Sequence, residues 1–500
     1  MPHQTNLAHG LSDTASDRSN WRRDLAMVLR RYGLLGLDAD GNSVTRRFSI
    51  VNAGFESVVF SADRLSVVVV DRPGSSAIDG LEARAEAGGG FLYRNRSSWF
   101  RKRVPAYRAL LPHVSFSGKS LTPVLMTADG RTVVGWWDHE GRQHLIIGLS
   151  VVEETVRYTQ GDPQKVFTAK DKTLWGSGHE RSAYLYEDNI VPKFEMVPWA
   201  DRLGFLLARL IADASGLPLL EPLPGGARGA ILLTGDDDQA FLEKYDEQLG
   251  LLGDFPMTYI MLPHTKHTAQ TLSAMPANIE FGVHIDALPD PAGYPSVCRA
   301  QTEAVRSLVG KPARTVRNHG HLNQGYWGYL PSWEECGLVL DLNTRGLDGT
   351  CPMGSYLPFR FLRQDGSWSS HRSLFSTFSD SMYYLQKWST RQQVKRISGL
   401  AEQIDGSDPG VIVMNLHPQN VSDFHDVHRT VIELGRQKGW TALGAESYID
   451  WLTTLDAVSL VESGSGLELH CEMPIENLTY RWPGQGEAIV LPAWKRVVSL

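Results

Sequence analysis

A chain of 500 residues with 42% hydrophobic and 21% charged side chains has material for a large core and two or three domains, which excludes a disordered tail protein. Its 49 Lys and Arg against 56 Asp and Glu leave a formal charge of −7, so the overall balance advertises neither nucleic acid nor an anionic membrane surface. The four cysteines, Cys298, Cys336, Cys351 and Cys471, form no Cys-x-x-Cys and no pair close in sequence, which argues against a disulfide framework or a thiolate zinc site. Any metal must rest on His and carboxylate.

Residues 1–20 are polar, lack the basic start and apolar stretch of a secretory signal, and read as a loose tail. The apolar run from Leu25 to Leu37 is interrupted by Arg30 and Arg31, and later runs by Arg209 or by prolines. No membrane span is expected, and the chain reads as cytoplasmic.

Residues 21–222 read as an α/β domain. Val58 to Phe60 and Val67 to Val70 suit buried strands, residues 81–87 a short helix stopped by Gly88-Gly89-Gly90, and Phe91 to Tyr93 a strand. Thr132 to Trp137 and Leu145 to Leu149 are strands flanking the turn Asp138-His139-Glu140-Gly141. Leu203, Leu206, Leu207, Leu210 and Ile211 fall on one helical face, and a Pro- and Gly-rich linker over 216–226 follows.

Residues 223–457 restart the rhythm of strand and helix. Candidate strands are Ala230 to Thr234, Thr258 to Leu262, Ile279 to Val283, Thr315 to Arg317, Leu338 to Leu342, Pro358 to Phe361 and Val411 to Leu416. Seven strands joined mostly by helix-length intervals predict a closed or nearly closed β/α barrel. Beyond 457 the alternating, Gly-rich sequence predicts a small β appendage over 458–500.

The chemistry concentrates at strand ends. Leu232-Leu233-Thr234-Gly235-Asp236-Asp237-Asp238 is an apolar strand ending in three carboxylates, which repel one another unless a cation sits among them. His284 follows a second strand, His319 a third, and His417 a fourth. In a barrel the C-terminal strand ends converge on one mouth, so these groups can meet there. A solvated acidic turn and satisfied structural histidines are the bland alternatives.

These segments resemble the polysaccharide deacetylases of carbohydrate esterase family 4, over about residues 225 to 455. Thr234-Gly235-Asp236-Asp237 is similar to that family's Thr-Phe-Asp-Asp, Phe281-Gly282-Val283-His284 to its second motif, Arg317-Asn318-His319 to its Arg-containing third, and Leu416-His417-Pro418 to its last. The resemblance implies that Asp236 is a general base, that Asp237 and His284 ligate a divalent metal, most simply zinc, that Arg317 orients Asp236, and that His417 is a general acid. The second metal-binding His of the family is replaced by Leu288. His319 is the preferred substitute ligand, ahead of His321 and Asp286. Trp327, Tyr326 and Tyr356 are candidates to stack on sugar faces.

The implied fold is α/β: a deacetylase-like (β/α) barrel preceded by a domain similar to class I glutamine amidotransferases and flavodoxins. Glutaminase chemistry needs a thiolate, and the first cysteine is Cys298, so the front domain reads as non-catalytic. The implied activity is metal-dependent hydrolysis of an N-acetyl amide on a sugar or polysaccharide. The rivals are a carbohydrate-binding scaffold with a degenerate site and an amidohydrolase on a small cytoplasmic amide. Arg94, Arg96, Arg101, Lys102 and Arg103 around Trp99 and Phe100 read as a solvated loop rather than a nucleic-acid grip.

Overall fold

The computed structural model describes residues 20–58, 60, 63–71, 78, 80–95, 104–165, 182–323, 327–344, 349–464, 466–484, 488–491 and 494–500. Val59, Arg96, Trp99 to Arg103 and Tyr326 lie outside them. The chain divides into two compact units: one holds Gln160–Pro198 and Ala227–Leu455, the other the stretch ending at Thr159 with Trp199–Gly226 and Asp456–Leu500. Among the described residues no helix is long and apolar enough to cross a membrane.

This division differs from boundaries at 222 and 457, for reasons visible in the hydrogen bonds. The Gln160 amide bonds the Leu362 backbone in both directions, and Tyr356 donates to the Met196 carbonyl, which ties 160–198 to the barrel. Residues 456–500 are no separate appendage. Leu219–Leu220 pairs with Thr479–Arg481, and Arg47 meets Glu462 at 3.2 Å.

The unit containing the N-terminal half is built on a nine-stranded sheet. Phe48–Asn52, Leu65–Val69 and Arg142–Ile147 run parallel to one another, and the remaining pairings are antiparallel, unlike the parallel sheet of a flavodoxin-like fold. Connection length explains it. His139 and Arg142 are joined by two residues, Glu140 and Gly141, both with positive φ (53° and 81°), a hairpin turn that leaves no room for a crossover helix.

The helix expected over 81–87 is a strand, Leu81–Glu86, paired residue for residue with His113–Gly118. Its Ala, Glu and Arg favour helix in isolation. The ladder overrides that preference, and Arg84 bridges Glu86 and Asp129 at 2.7 Å each. Val58 and Phe60 lie outside any strand. The helix carrying Leu203, Leu207 and Ile211 spans Trp199–Ser215, and its Gly204 is required: a Cβ there would stand 1.9 Å from the Tyr32 ring.

Buried Glu154 in the helix Val151–Gln160 accepts from the Tyr107 hydroxyl and from the Leu110 and Leu111 amides. Burial pushes its carboxyl up to about 7, against the pull of those donors. Between about pH 4.5 and 7 the folded chain therefore holds a proton that the unfolded chain releases, and this group's contribution to stability falls as pH rises through that window. Urea unfolding should show that decline, and Glu154→Gln should flatten it.

The other unit is the barrel. Its strands are β1 (Gly229–Asp236), β2 (Met257–Met261), β3 (Ile279–Ile285), β4 (Thr315–Asn318), β5 (Leu340–Asp341), β6 (Phe359–Leu362), β7 (Trp368–Ser373), β8 (Phe378–Ser379), β9 (Gly410–Asn415) and β10 (Thr441–Leu443). The helices are α1 (Leu242–Leu252), α2 (Ala269–Ser273), α3 (Tyr294–Val309), α4 (Leu330–Glu335), α5 (Asp380–Gln386), α6 (Thr390–Asp405), α7 (His425–Lys438) and α8 (Ala445–Ala457).

Strand order is β6-β7-β5-β4-β3-β2-β1-β9-β8, with β10 also on β1, and every pairing but β6 with β7 is parallel. Every residue of β1, β2 and β9 is buried, as parallel strands covered on both faces must be. The ring closes through single backbone bonds: Leu374 donates to Asp341, Ser376 to Thr344 and Thr377 to Val413. The C-terminal ends of the parallel strands, all but β6, therefore open on one mouth.

Candidate active site

β1 ends at Asp236, and the turn that follows it sorts the three carboxylates. Asp236 and Asp238 face the mouth. Asp237 turns the other way, fully buried, and its Oδ1 takes the Tyr245 hydroxyl while its Oδ2 has no partner. Burial and the Asp237 carboxylate push the Tyr245 phenol far up, so it stays a donor. The turn beyond β1 is tight: the Asp237 amide donates to Ile260, and Asp238 and Gln239 both adopt positive φ (39° and 58°). Gly235 has no room for the Phe of the motif, since a Cβ would stand 2.7 Å from the Leu416 carbonyl oxygen.

Asp236 is held from two sides. Arg317, fully buried on β4, donates through Nη1 to its Oδ1 at 2.7 Å, and Asn415 on β9 donates to its Oδ2 at 2.9 Å. Arg317 is itself fixed by Thr234, Ser376 and the Leu342 carbonyl. Burial alone would raise the Asp236 pKa, but the Arg317 guanidinium and the imidazoles of His284 and His417 hold it far below the carboxylate range.

One oxygen of Asp238 and one ring nitrogen each of His284 and His319 lie within 4.8 Å of one another. Asp238 Oδ1 is 3.3 Å from His284 Nε2 and 3.7 Å from His319 Nε2. Ligands about 2.0–2.1 Å from a tetrahedral metal stand roughly 3.4 Å apart, so these spacings fit one divalent ion. The orphaned atoms point the same way. Asp238 Oδ1 and His284 Nε2 are buried with no hydrogen-bond partner.

The outer nitrogen of His284 is tied down as a ligating imidazole requires, its Nδ1 lying 2.9 Å from the Arg317 carbonyl oxygen; His319 Nδ1 lies 3.2 Å from Asp286 Oδ1, in ion-pair range but without a hydrogen bond. Burial would raise the Asp238 carboxyl, but His284 and His417 lower it to about 2. Burial lowers and the Asp236 and Asp238 carboxylates raise the His284 imidazole, with a net upward shift.

His417 follows β9. Its Nδ1 is 2.5 Å from Asp380 Oδ1, and its backbone amide donates to Asp380 Oδ2 at 2.8 Å. Its Nε2 faces Asp238 Oδ2 at 3.5 Å and Asp236 Oδ2 at 3.6 Å. Burial works against its proton, yet Asp380 and the two mouth carboxylates push its pKa up to about 9.

The structure thus brings Asp236, Arg317, His417, His284 and His319 together. Asp237, expected as a ligand, is outside the group, and Asp238 stands in its place. Asp286 backs His319 and is not in the trio. His321 instead turns its Nδ1 to the Asn343 carbonyl at 3.1 Å. Leu288 packs against the apolar core. Tyr356 is buried and bonded to Met196, so it is no platform for sugar, and the Trp327 indole donates to Leu362. Among the described residues, exposed aromatics on the segments that follow the strand ends are Phe241, 62% exposed three residues beyond Asp238 with Lys266 Nζ 3.3 Å from its ring centroid, and Tyr384, 49% exposed one turn along α5 from Asp380.

No protein-family model matches the chain, and no curated protein does. Solved structures similar to it include a candidate polysaccharide deacetylase involved in O-antigen biosynthesis from Bordetella bronchiseptica, at 21% identity over 46% of this chain and 92% of that one, with a TM-score of 0.30. Puue allantoinase aligns at 15% identity over 47% and 94%, with a TM-score of 0.38. The carbohydrate deacetylase Agd3 aligns at 10% identity over 87% and 86%, with a TM-score of 0.34.

Proposed function

We propose that the barrel catalyses metal-dependent hydrolysis of an N-acetyl amide on a sugar or polysaccharide. The observation that carries the reading is the meeting, at one mouth, of a three-donor cation cradle with a carboxylate held ionised and an imidazole held protonated. Asp238, His284 and His319 would hold the ion. A divalent ion there, zinc being the best match to one carboxylate and two imidazoles, would polarise an amide carbonyl and make water acidic enough to ionise near neutral pH.

The chain's own groups divide the remaining work. Asp236 Oδ2 lies at the mouth, ready to accept a proton from the attacking water, and Arg317 keeps that oxygen pair aimed and charged. His417 holds a proton on Nε2 and is positioned to deliver it to the departing nitrogen, without which the tetrahedral adduct reverts to the amide. Asp380 fixes the imidazole's tautomer and orientation. Tyr384, and the face of Phe241 that Lys266 leaves open, are candidate surfaces for the apolar side of a sugar. The presence of a third donor in His319 supports an enzyme over a degenerate scaffold.

Acetate release from N-acetylated oligosaccharides, with zinc or cobalt supplied, tests the reading. Activity that persists in both Asp236→Asn and His417→Ala would end it. Asp380→Asn should cut the rate by about 10²–10⁴-fold while leaving KM within a few-fold, because the proton-donating imidazole loses its anionic anchor.

A further inference from the structure

Two of the four cysteines, separated by 38 positions in sequence, meet in space. Cys298 lies in α3 and Cys336 directly follows α4, and their Sγ atoms are 3.7 Å apart, close to van der Waals contact. Cys298 is fully buried and Cys336 half-buried. The elements that carry them are keyed together. The Tyr294 and Tyr329 rings stack at 3.5 Å between centroids, the Trp333 indole donates to the Tyr294 hydroxyl at 2.7 Å, and that hydroxyl donates to Asn318 Oδ1 at 2.6 Å. Neither cysteine belongs to a group able to hold a metal among the described residues.

We propose that Cys298 and Cys336 are a reversible oxidation site that a hydroperoxide closes into a disulfide. The accessible Cys336 sulfur attacks one peroxide oxygen, so that an S–O bond forms, the O–O bond breaks and water departs, leaving a sulfenic acid. The Cys298 sulfur then displaces the hydroxyl, which leaves with the thiol proton as a second water. Two thiols and one hydrogen peroxide give one disulfide and two waters. The sulfurs lose the two electrons that the peroxide gains.

Each part of the geometry suits this order. Burial and the neighbouring Cys336 push the Cys298 thiol up, which leaves Cys336 to react first. The sulfurs must close from 3.7 Å to about 2.05 Å, and the chain can yield at the α4 end, where Gly337 has φ 71° and open space around it. The new bond would close the loop that carries Arg317 and His319, restricting the unfolded chain and stabilising the fold.

Treatment of the full chain with hydrogen peroxide tests this independently of any hydrolase activity. Free thiols counted after denaturation should fall from four to two, with Cys298 and Cys336 recovered in one linked peptide, and dithiothreitol should restore all four. The melting temperature of the oxidised chain should rise by roughly 5 °C or more. Cys336→Ser, a change at a half-buried position, should keep its three thiols and show no rise. Recovery of Cys336 as sulfinic acid beside a free Cys298 thiol, loss of thiol from Cys351 or Cys471 instead, or a lowered melting temperature of the linked form would overturn the proposal.

Discussion

Asp236→Asn is expected to slow amide hydrolysis by about 10²–10⁴-fold and to leave metal content unchanged. The first part follows from what the substitution removes. An amide cannot accept the proton of the attacking water, and in Asp236 that acceptor oxygen sits 3.6 Å from the proton-bearing nitrogen of His417, at the mouth itself. The second part follows from what it spares, since Asp238, His284 and His319 form their trio without Asp236. The fold should survive. Asn415 now donates to Asp236, and its own Oδ1 has no partner, so a turn of its amide presents an acceptor to the new NH₂ group. Arg317 loses an ionic partner at full burial, and the stability cost should not exceed about 3–5 kcal/mol. Steady-state rates, zinc content and urea unfolding on one preparation read all three. Loss of metal together with rate would mean that Asp236 is a ligand, and would remove its role as base.

The barrel was legible where burial makes a strand a continuous apolar run. β1, β2, β3 and β9 read directly from sequence because both of their faces are covered. β7, β8 and β10 did not. Trp368–Ser373 reads as polar sequence, and Phe378–Ser379 is only two residues long. Missing β8 meant missing Asp380, which leaves its end to hold His417; a lone Phe378 among Ser and Thr gives no strand signal ahead of that carboxylate. In the N-terminal half, Leu81–Glu86 has the composition of a helix, and the ladder that makes it a strand comes from His113–Gly118, nearly 30 residues away. Composition holds no trace of that partner. The same limit hid the division of the chain, because the pairing of Leu219–Leu220 with Thr479–Arg481 links segments about 260 residues apart.

The choice between Asp237 and Asp238 is the sharpest case, for three identical residues in a row carry no sign of the turn beyond β1 that separates them. Asp238→Ala should reduce bound zinc from about one ion per chain to nearly none, since it takes the sole anionic donor from a three-donor cradle. Asp286→Asn, which removes the charge that faces His319 Nδ1 and leaves an oxygen for the Leu288 amide, should cost about 10–100-fold in affinity and leave measurable metal. Asp237→Ala should retain the ion in full. Its penalty falls on stability instead, about 1–3 kcal/mol, because the buried Tyr245 hydroxyl loses its acceptor. Zinc content by mass spectrometry after dialysis against a weak chelator orders the three variants, and urea unfolding separates the last from the first two. A chain that keeps its ion without Asp238 and loses it without Asp237 would reverse the assignment.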